Sequence, residues 1–398
     1  MFEKFGEFKP AWLFEDPERR ARWDHLTLNE KEGLVIEDNM LRRQTELLLD
    51  NVAKQMIVDG LARVNEKGKV VVEATDTTGV SSFTTVAFPL IRRVWPTLIA
   101  NELVTVQPIK QPTAKVFYLD FLRGSAGTPS STYPSGQRLD NNFDTDYASG
   151  TEGGTVKEVD FRVSSTDVTA VEKKLKAKWT IEVEQDLKTY HGIGAEVELV
   201  KIMAAEIRRE IDYEIVAALV TAATQSASSD GGAGAGNVNW SSTVPSTSPW
   251  NVLNPKEYKE SLYESIIDAN TLIYKKCYKN ADWLVVDPDT CAILEKLDDF
   301  KLDPTANPSS FNVGLERVGT LKNRFKVYKH PDFQSNKILL GHKGTSWMDA
   351  GFVYAPYIAL YHTPTLIDPD DFTPRKGVMS RYAKKVINAG CYATVTIT

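Results

Sequence analysis

The strongest periodic signal in the chain lies between residues 195 and 223, where Val200, Ala204, Ile207, Ile211, Ile215 and Leu219 recur every three or four positions. That spacing lays one apolar stripe along a helix, which at 1.5 Å per residue runs for about 43 Å. Arg208 and Asp212 stand four apart on what reads as its polar side, where an ion pair is worth a few tenths of a kcal/mol. A second amphipathic pattern covers residues 38–64. Leu41, Leu48, Val52 and Met56 share a face, Asp38 or Asn39 serves as N-cap, and Gly60 falls near the end. Residues 65–85, with KGK, a short VVV run and a Thr/Ser/Gly stretch, read as an extended arm. Residues 104–108 and 115–121 then read as strands, and residues 156–163 do so again. Between them, residues 123–155 are rich in Gly, Ser, Thr, Asp and Asn. About thirty residues without apolar period is long for a loop inside a compact domain. The pattern predicts a two-stranded projection with a loose tip, which buries little in its own chain and makes sense lying across a neighbour.

Further along, a strand over 175–179 leads into a short helix that begins at Thr180 and stops near Gly192. The Gly, Ser, Ala, Thr and Pro-rich residues 224–252 mark the plainest boundary. Beyond it, residues 262–278 and 288–297 read as helices, the latter with Asp287 as N-cap, and 281–286 as a buried strand. Strand-like runs return at 324–328, 337–340 and 351–360. The chain closes with runs at 380–386 and 391–397, the last alternating as a half-buried strand does.

Composition narrows the possibilities. The 398 residues are 42% hydrophobic and 25% charged, as in folded proteins, and that length suits about two or three domains. A net charge of -6 argues against a dedicated nucleic-acid binder, whose affinity comes from clustered positive charge. Cys277, Cys291 and Cys391 form no CxxC pair and read as buried apolar side chains in a reducing compartment, with no disulfide framework. The opening MFEKFGEFKPAWLFEDPERR scatters charge where a signal peptide needs an apolar core. The longest nearly apolar run, 352–361, is too short to span a bilayer and contains Pro356.

Signatures of catalysis are missing. His25, His191, His330, His342 and His362 include no pair at the helical spacing of metal ligands. There is no Walker A loop and no G-x-S-x-G elbow, and the run Gly231–Gly236 reads as a flexible loop. Asn239-Trp240-Ser241 matches a glycosylation sequon that has no secretory context. Asp298-Asp299 and Asp370-Asp371 read as solvated acids, so a carboxylate hydrolase has little behind it. By contrast, Phe2, Phe5, Phe8, Trp12, Phe14 and Trp23 crowd the first 23 residues and call for a partner surface. Within residues 88–101, two prolines bracket Arg92, Arg93 and Trp95. Two arginines inside an apolar segment read as interface or inter-domain pairing residues rather than phosphate ligands.

Three windows in order, FPLIRRVWPTLIANELVTVQP (88–108, continuing to QPTAKVFYLDF), KLKAKWTIEVEQDLKTYHGIGAEVELVKIMAAEIRREID (174–212) and DPDDFTPRKGVMSRYAKK (368–385), resemble the major capsid proteins of T-even-like tailed phages. The resemblance implies an α+β chain with the tailed-phage major capsid fold, shared with herpesvirus shells and encapsulins. Residues 1–85 would be an N-terminal arm. Residues 86–252 and 366–398 would be a peripheral domain, with an extended loop at about 112–165 and a spine helix at about 195–223. Residues 253–365 would be an axial domain, and the closing strand would return to the peripheral one.

The same resemblance implies a structural protein without enzymatic activity, cofactor or metal. It would self-assemble as hexamers and pentamers into an icosahedral or prolate shell around packaged double-stranded DNA. Its surroundings would be the virion capsid, after assembly in the host cytoplasm. Portal, scaffold, vertex and decoration proteins are the implied partners, with non-specific proximity to DNA and no membrane. An encapsulin-like compartment shell and a pentamer-only vertex paralogue are the neighbouring readings. In T-even-like relatives a protease removes the N-terminal segment after a Glu, and Glu73-Ala74 stands where such a cut would fall. The reading adopted is an unprocessed chain whose aromatic arm clamps a neighbour, with no room for the inserted chitin-binding-like domain of those relatives.

Overall fold

A computed structural model describes residues 38–58, 63–64, 70–71, 100–123, 159–192, 194–224, 234–242, 255–303, 316–344, 350–371 and 373–398, with Trp23, Thr27, Ile36 and Leu98. The architecture is α+β: two mixed sheets share one long helix. Helix α1 (Asn39–Val58) begins where Asp38 Oδ1 accepts from Met40 N at 2.8 Å, as the N-cap reading requires. Its Leu48, Val52 and Met56 are fully buried. The two-residue strands β1 (Arg63–Val64) and β2 (Val70–Val71) pair antiparallel.

The first large sheet is built from β3 (Thr105–Val106), β6 (Val171–Lys178), β13 (Phe352–His362), β14 (Leu366–Ile367) and β15 (Pro374–Val386). β15 is its organiser, pairing antiparallel with β6, β13 and β14. β13 is apolar on both faces, and all its side chains but Tyr357 are buried. The register with β15 shifts after Pro356, where a proline that cannot donate to the ladder is accommodated by an irregularity. Asn51 of α1 ties the helix to this sheet, its Nδ2 donating to the carbonyls of Ile109 at 3.0 Å and Tyr357 at 2.8 Å.

The second sheet has seven strands in the order β7 (Gly236–Trp240), β16 (Tyr392–Ile397), β12 (Lys337–Gly341), β8 (Trp283–Val286), β11 (Phe325–Lys329), β10 (Glu316–Leu321) and β9 (Phe300–Leu302). β8 shows why its sequence is apolar without alternation. Trp283 and Val285 enter one core while Leu284 and Val286 enter another, on the opposite face. Leu262, Ile266 and Ile273 of helix α5 (Pro255–Cys277) fill the second core, with Cys291 and Leu294 of helix α6 (Pro288–Glu295). Gly341 of β12 lies against the Trp283 indole, where any Cβ would collide with the ring.

Strand placement departs from expectation at three points. β13, grouped by sequence with the axial residues 253–365, is central to the β15 sheet. The closing strand β16, expected to return to the peripheral domain, instead lies inside the seven-stranded sheet. There both its faces are covered, so it is not half-buried, and Thr394 and Thr396 donate to Asn237 Oδ1 at 3.0 and 2.8 Å. β7 itself lies in the stretch read as a boundary, and it pairs parallel with β16. A pairing between segments about 150 residues apart leaves no trace in local composition.

The predicted spine is helix α4 (Ala195–Thr224), about 45 Å long at 1.5 Å per residue. Ile207, Ile211, Ile215 and Leu219 share one core with Tyr354 and Tyr382 of the first sheet and Leu339 and Tyr392 of the second. Asp212 corrects the expected polar side. It is fully buried, 3.8 Å from Arg208 Nε, because sheets cover the helix beyond the width of its apolar stripe. Burial, and then the charge of Asp212, push the Tyr354 phenol pKa up.

Candidate assembly surface

Three features stand apart from these cores. The first is the projection made by β4 (Thr113–Arg123) and β5 (Val159–Thr169). The two strands pair in unbroken antiparallel register from Thr113 with Thr169 to Arg123 with Val159. Among the described residues they pair with no other strand. At about 3.3 Å per residue each eleven-residue strand is about 36 Å long. The root is anchored: Ile109, Val116, Val168 and Ala170 bury with Val353 and Ala355 of β13, and Ala170 N donates to Pro112 O at 2.8 Å. The expected tip, residues 123–155, lies outside the described residues apart from Arg123.

The second is helix α3 (Ile181–His191), which buries none of its side chains. It is held by its ends. Thr180 Oγ1 accepts from Val183 N, Glu182 and Glu184 occupy the first turn, and Lys188 and His191 the last. Gly192 closes it at φ 65°, donating to the carbonyls of Leu187 and Lys188. Trp179 Nε1 adds a bond to Glu184 at 3.0 Å. Ile181, Val183 and Tyr190 therefore face outward, Tyr190 at 78% exposure, followed by exposed Val197 and Ile202 of α4.

The third is a belt of charge between α4 and the first sheet. Glu214 accepts from Lys173, from Tyr382 Oη at 2.8 Å and from Lys384 at 3.1 Å, while Lys173 also reaches Glu210 at 2.9 Å. Burial alone would raise the Glu214 pKa, but these hydrogen bonds outweigh it and hold it below the usual carboxylate range. Glu196, at the start of α4, is bound by Lys376 and by Thr365 Oγ1 at 3.0 Å and is lowered in the same way against its burial. Nearby His362 is buried; desolvation, and then the Lys376 charge, push its pKa down to about 4.

Side chains also pin the segment after the arm to the seven-stranded sheet. Helix α2 (Ala100–Leu103) offers Glu102, which accepts from the Tyr328 hydroxyl of β11, and Lys343 Nζ donates to Asn101 O at 2.5 Å. Burial and the Glu102 bond raise the Tyr328 phenol pKa. On the other side of the spine, Arg209 Nε meets Asp332 at 2.8 Å.

Arg92, Arg93 and Trp95 lie outside the described residues, as do Glu73-Ala74 and the aromatic arm up to Phe14. Of the six N-terminal aromatics, Trp23 is described and is buried in the main core. The hubs Glu214 and Glu196 had no local signature, since each gathers its lysine from strands distant in sequence. The helix α3 itself was legible from Thr180 to Gly192, but not which of its apolar residues would stay exposed. Among the described residues, no three His, Cys, Asp or Glu side chains are grouped to hold a metal ion. No helix of the described residues is long and apolar enough to cross a membrane.

Comparison with known proteins decides the family. The model described as "Major capsid protein Gp23" matches residues 80–154 and 127–396. The chain belongs to this family. It is a family of structural shell components of phage virions, not of enzymes, and its members work as homo-oligomers. The chain is 25% identical to the major capsid protein of Vibrio phage KVP40 over 409 aligned positions, covering 79% of this chain and 78% of that one. It is 22% identical to the major capsid protein of Salmonella phage ViI, covering 92% and 89%. With the major capsid protein of Enterobacteria phage T4 the identity is 27%, but the match spans 56% of this chain and 44% of the relative. Among solved structures it is similar to that of Mycobacterium phage Bobi, at 12% identity and a TM-score of 0.43, covering 75% of this chain and 90% of that one. The capsid windows read from the sequence all lie within the matched span.

Proposed function

We propose that the chain is the repeating unit of a closed icosahedral or prolate shell, arranged as hexamers and pentamers around packaged double-stranded DNA. Assembly takes place in the host cytoplasm, with portal, scaffold, vertex and decoration proteins as partners. The observation that carries this reading is the β4–β5 projection, two strands each about 36 Å long that, among the described residues, pair with no other strand. Fixing a backbone costs about 1–2 kcal/mol per residue, so such an extension needs contacts beyond its own subunit to offset its ordering. A neighbouring copy supplies them, and many weak contacts repeated around a closed shell add up through multivalency. The outward apolar side chains of α3 fit the same role. A net charge of -6 suits a container that must not grip its genome.

Within the subunit we assign residues 1–85 to an arm that clamps a neighbour, with Arg92, Arg93 and Trp95 as pairing residues beside it. Following the sheets, we group 352–386 with the peripheral unit and 392–397 with the axial one.

The test is negative-stain electron microscopy of the purified protein, with light scattering on the same sample. Closed shells, tubes or hexameric rings are expected, and deletion of residues 1–35 should abolish or mis-size them while leaving a folded subunit. A monomer at every concentration, even after co-expression with neighbouring genes, would overturn assembly. Normal particles from the deletion would overturn the clamp.

A further inference from the structure

Two of the three cysteines meet. Cys277 is the last residue of α5, and Cys391 ends a 3-10 turn, Ala389–Cys391, that leads into β16. Their Sγ atoms are 2.9 Å apart across a sequence separation of 114, and both side chains are buried. The turn that carries Cys391 is fixed around this contact. Asn388 Oδ1 accepts from Gly390 N at 3.1 Å, and Asn388 Nδ2 donates to Cys277 Sγ at 3.5 Å. Gly390 packs so close that a Cβ there would touch Cys277 Sγ at 3.5 Å. A disulfide holds its sulfurs at about 2.03–2.05 Å, so closing this pair asks for a movement of under about 1 Å. The third thiol is placed differently. Cys291 lies in the separate core under α6, and burial, then its bond to Glu295, push its pKa up to about 12.

We propose that Cys277 and Cys391 are a redox-responsive pair that closes an intramolecular disulfide when the surrounding thiol pool turns oxidising. The oxidant is a low-molecular-weight disulfide of the glutathione class. The Cys277 thiolate, beside the exposed Tyr278, attacks one sulfur of that disulfide, forming a mixed disulfide and releasing one small thiol. The Cys391 thiolate then displaces the second small thiol and forms the protein S–S bond. Two protein thiols are oxidised, one small disulfide is reduced to two thiols, and the protein's two protons leave on them. The bond joins the end of α5 to the entrance of β16, which bridges β7 and β12. It closes a long loop in the unfolded chain and so stabilises the sheet that β16 completes. In a reducing cytosol the pair stays open, and after release into an oxidising medium it closes. The inference does not depend on shell formation and is tested separately from it.

The experiment incubates the full chain with oxidised glutathione, alkylates remaining thiols in denaturant, and maps peptides by non-reducing mass spectrometry. A parallel sample is refolded from denaturant in the same redox buffer, which removes any barrier of access. Titratable thiols should fall from three per chain to one, with Cys277 and Cys391 in one cross-linked peptide. Cys291→Ser should keep the cross-link and, once oxidised, should melt at a higher temperature than when reduced. Cys391→Ser should lose the cross-link, and its melting temperature should not rise on oxidation. Retention of all three thiols in both samples would overturn the proposal, as would a bond formed by Cys291 or between chains.

Discussion

Helices α3 and α4 follow one another in the chain, yet they are stabilised in opposite ways. α4 places Ile207, Ile211, Ile215 and Leu219 in a core that both sheets share, so its stability is tertiary. α3 has no fully buried side chain, its apolar Leu187 being half-buried, and leans on Thr180, the acidic first turn, the basic last turn and the left-handed Gly192. An isolated helix of eleven residues is marginal in water, so the capping interactions at its two ends matter more than they do in α4. The difference separates folding from assembly. Residues committed to the core cannot also meet a neighbour, and a helix held by its caps is left with an apolar surface to offer.

The largest effect that tests this contrast comes from the spine. Leu219→Ala removes a side chain with no exposure from the shared core, at an expected cost of about 3 kcal/mol. Denaturant unfolding should show both sheets losing stability together, and a transition in only one would break the idea of a common core. Next comes acid. His362 has a folded pKa of about 4 against an ordinary 6.5, so the unfolded state binds the extra proton between those values. Its contribution is complete above pH 6.5 and is lost as pH falls toward 4, amounting to about 3 kcal/mol. His330, lowered by its own burial, acts in the same direction. The paired carboxylates Glu196 and Glu214 lose their contribution in a more acid window, because their pKa values lie below the usual range. Melting temperature against pH should therefore flatten between 6.5 and 4 in His362→Gln. The smallest effects belong to α3. Thr180→Ala should cost about 1 kcal/mol, seen as faster amide exchange in α3 with global unfolding unchanged. Tyr190→Ser should leave subunit stability within about 0.5 kcal/mol and raise the concentration at which particles form.

Much of this division was legible in the sequence. The stripe from Val200 to Leu219 and the Thr180 to Gly192 helix are local patterns that the structure places as read, and of the two cap candidates Asp38 and Asn39 it is Asp38 that caps. The two strands of the projection were legible as strand-like runs around a polar stretch. What escaped was non-local. Asp212 reads as a surface acid until two sheets close over it, and β7 reads as linker until Asn237 meets the threonines of β16. The Glu214 hub draws on Lys173 and Lys384, which no spacing rule connects. The fold class was therefore accessible from period and family resemblance, while the ionic belt needed coordinates.

The position of β16 also sets a schedule. It lies between β7 and β12, yet it leaves the ribosome after both. At about 5–20 residues per second, β7 waits roughly 10–30 s for the strand that gives it a place in the sheet. β12 is made late in that interval, so for its last roughly 3–11 s β12 has one unpaired edge, and Ile338, Leu339 and Leu340 lack the cover they have in the finished subunit. The seven-stranded sheet is thus completed by its latest-made strand.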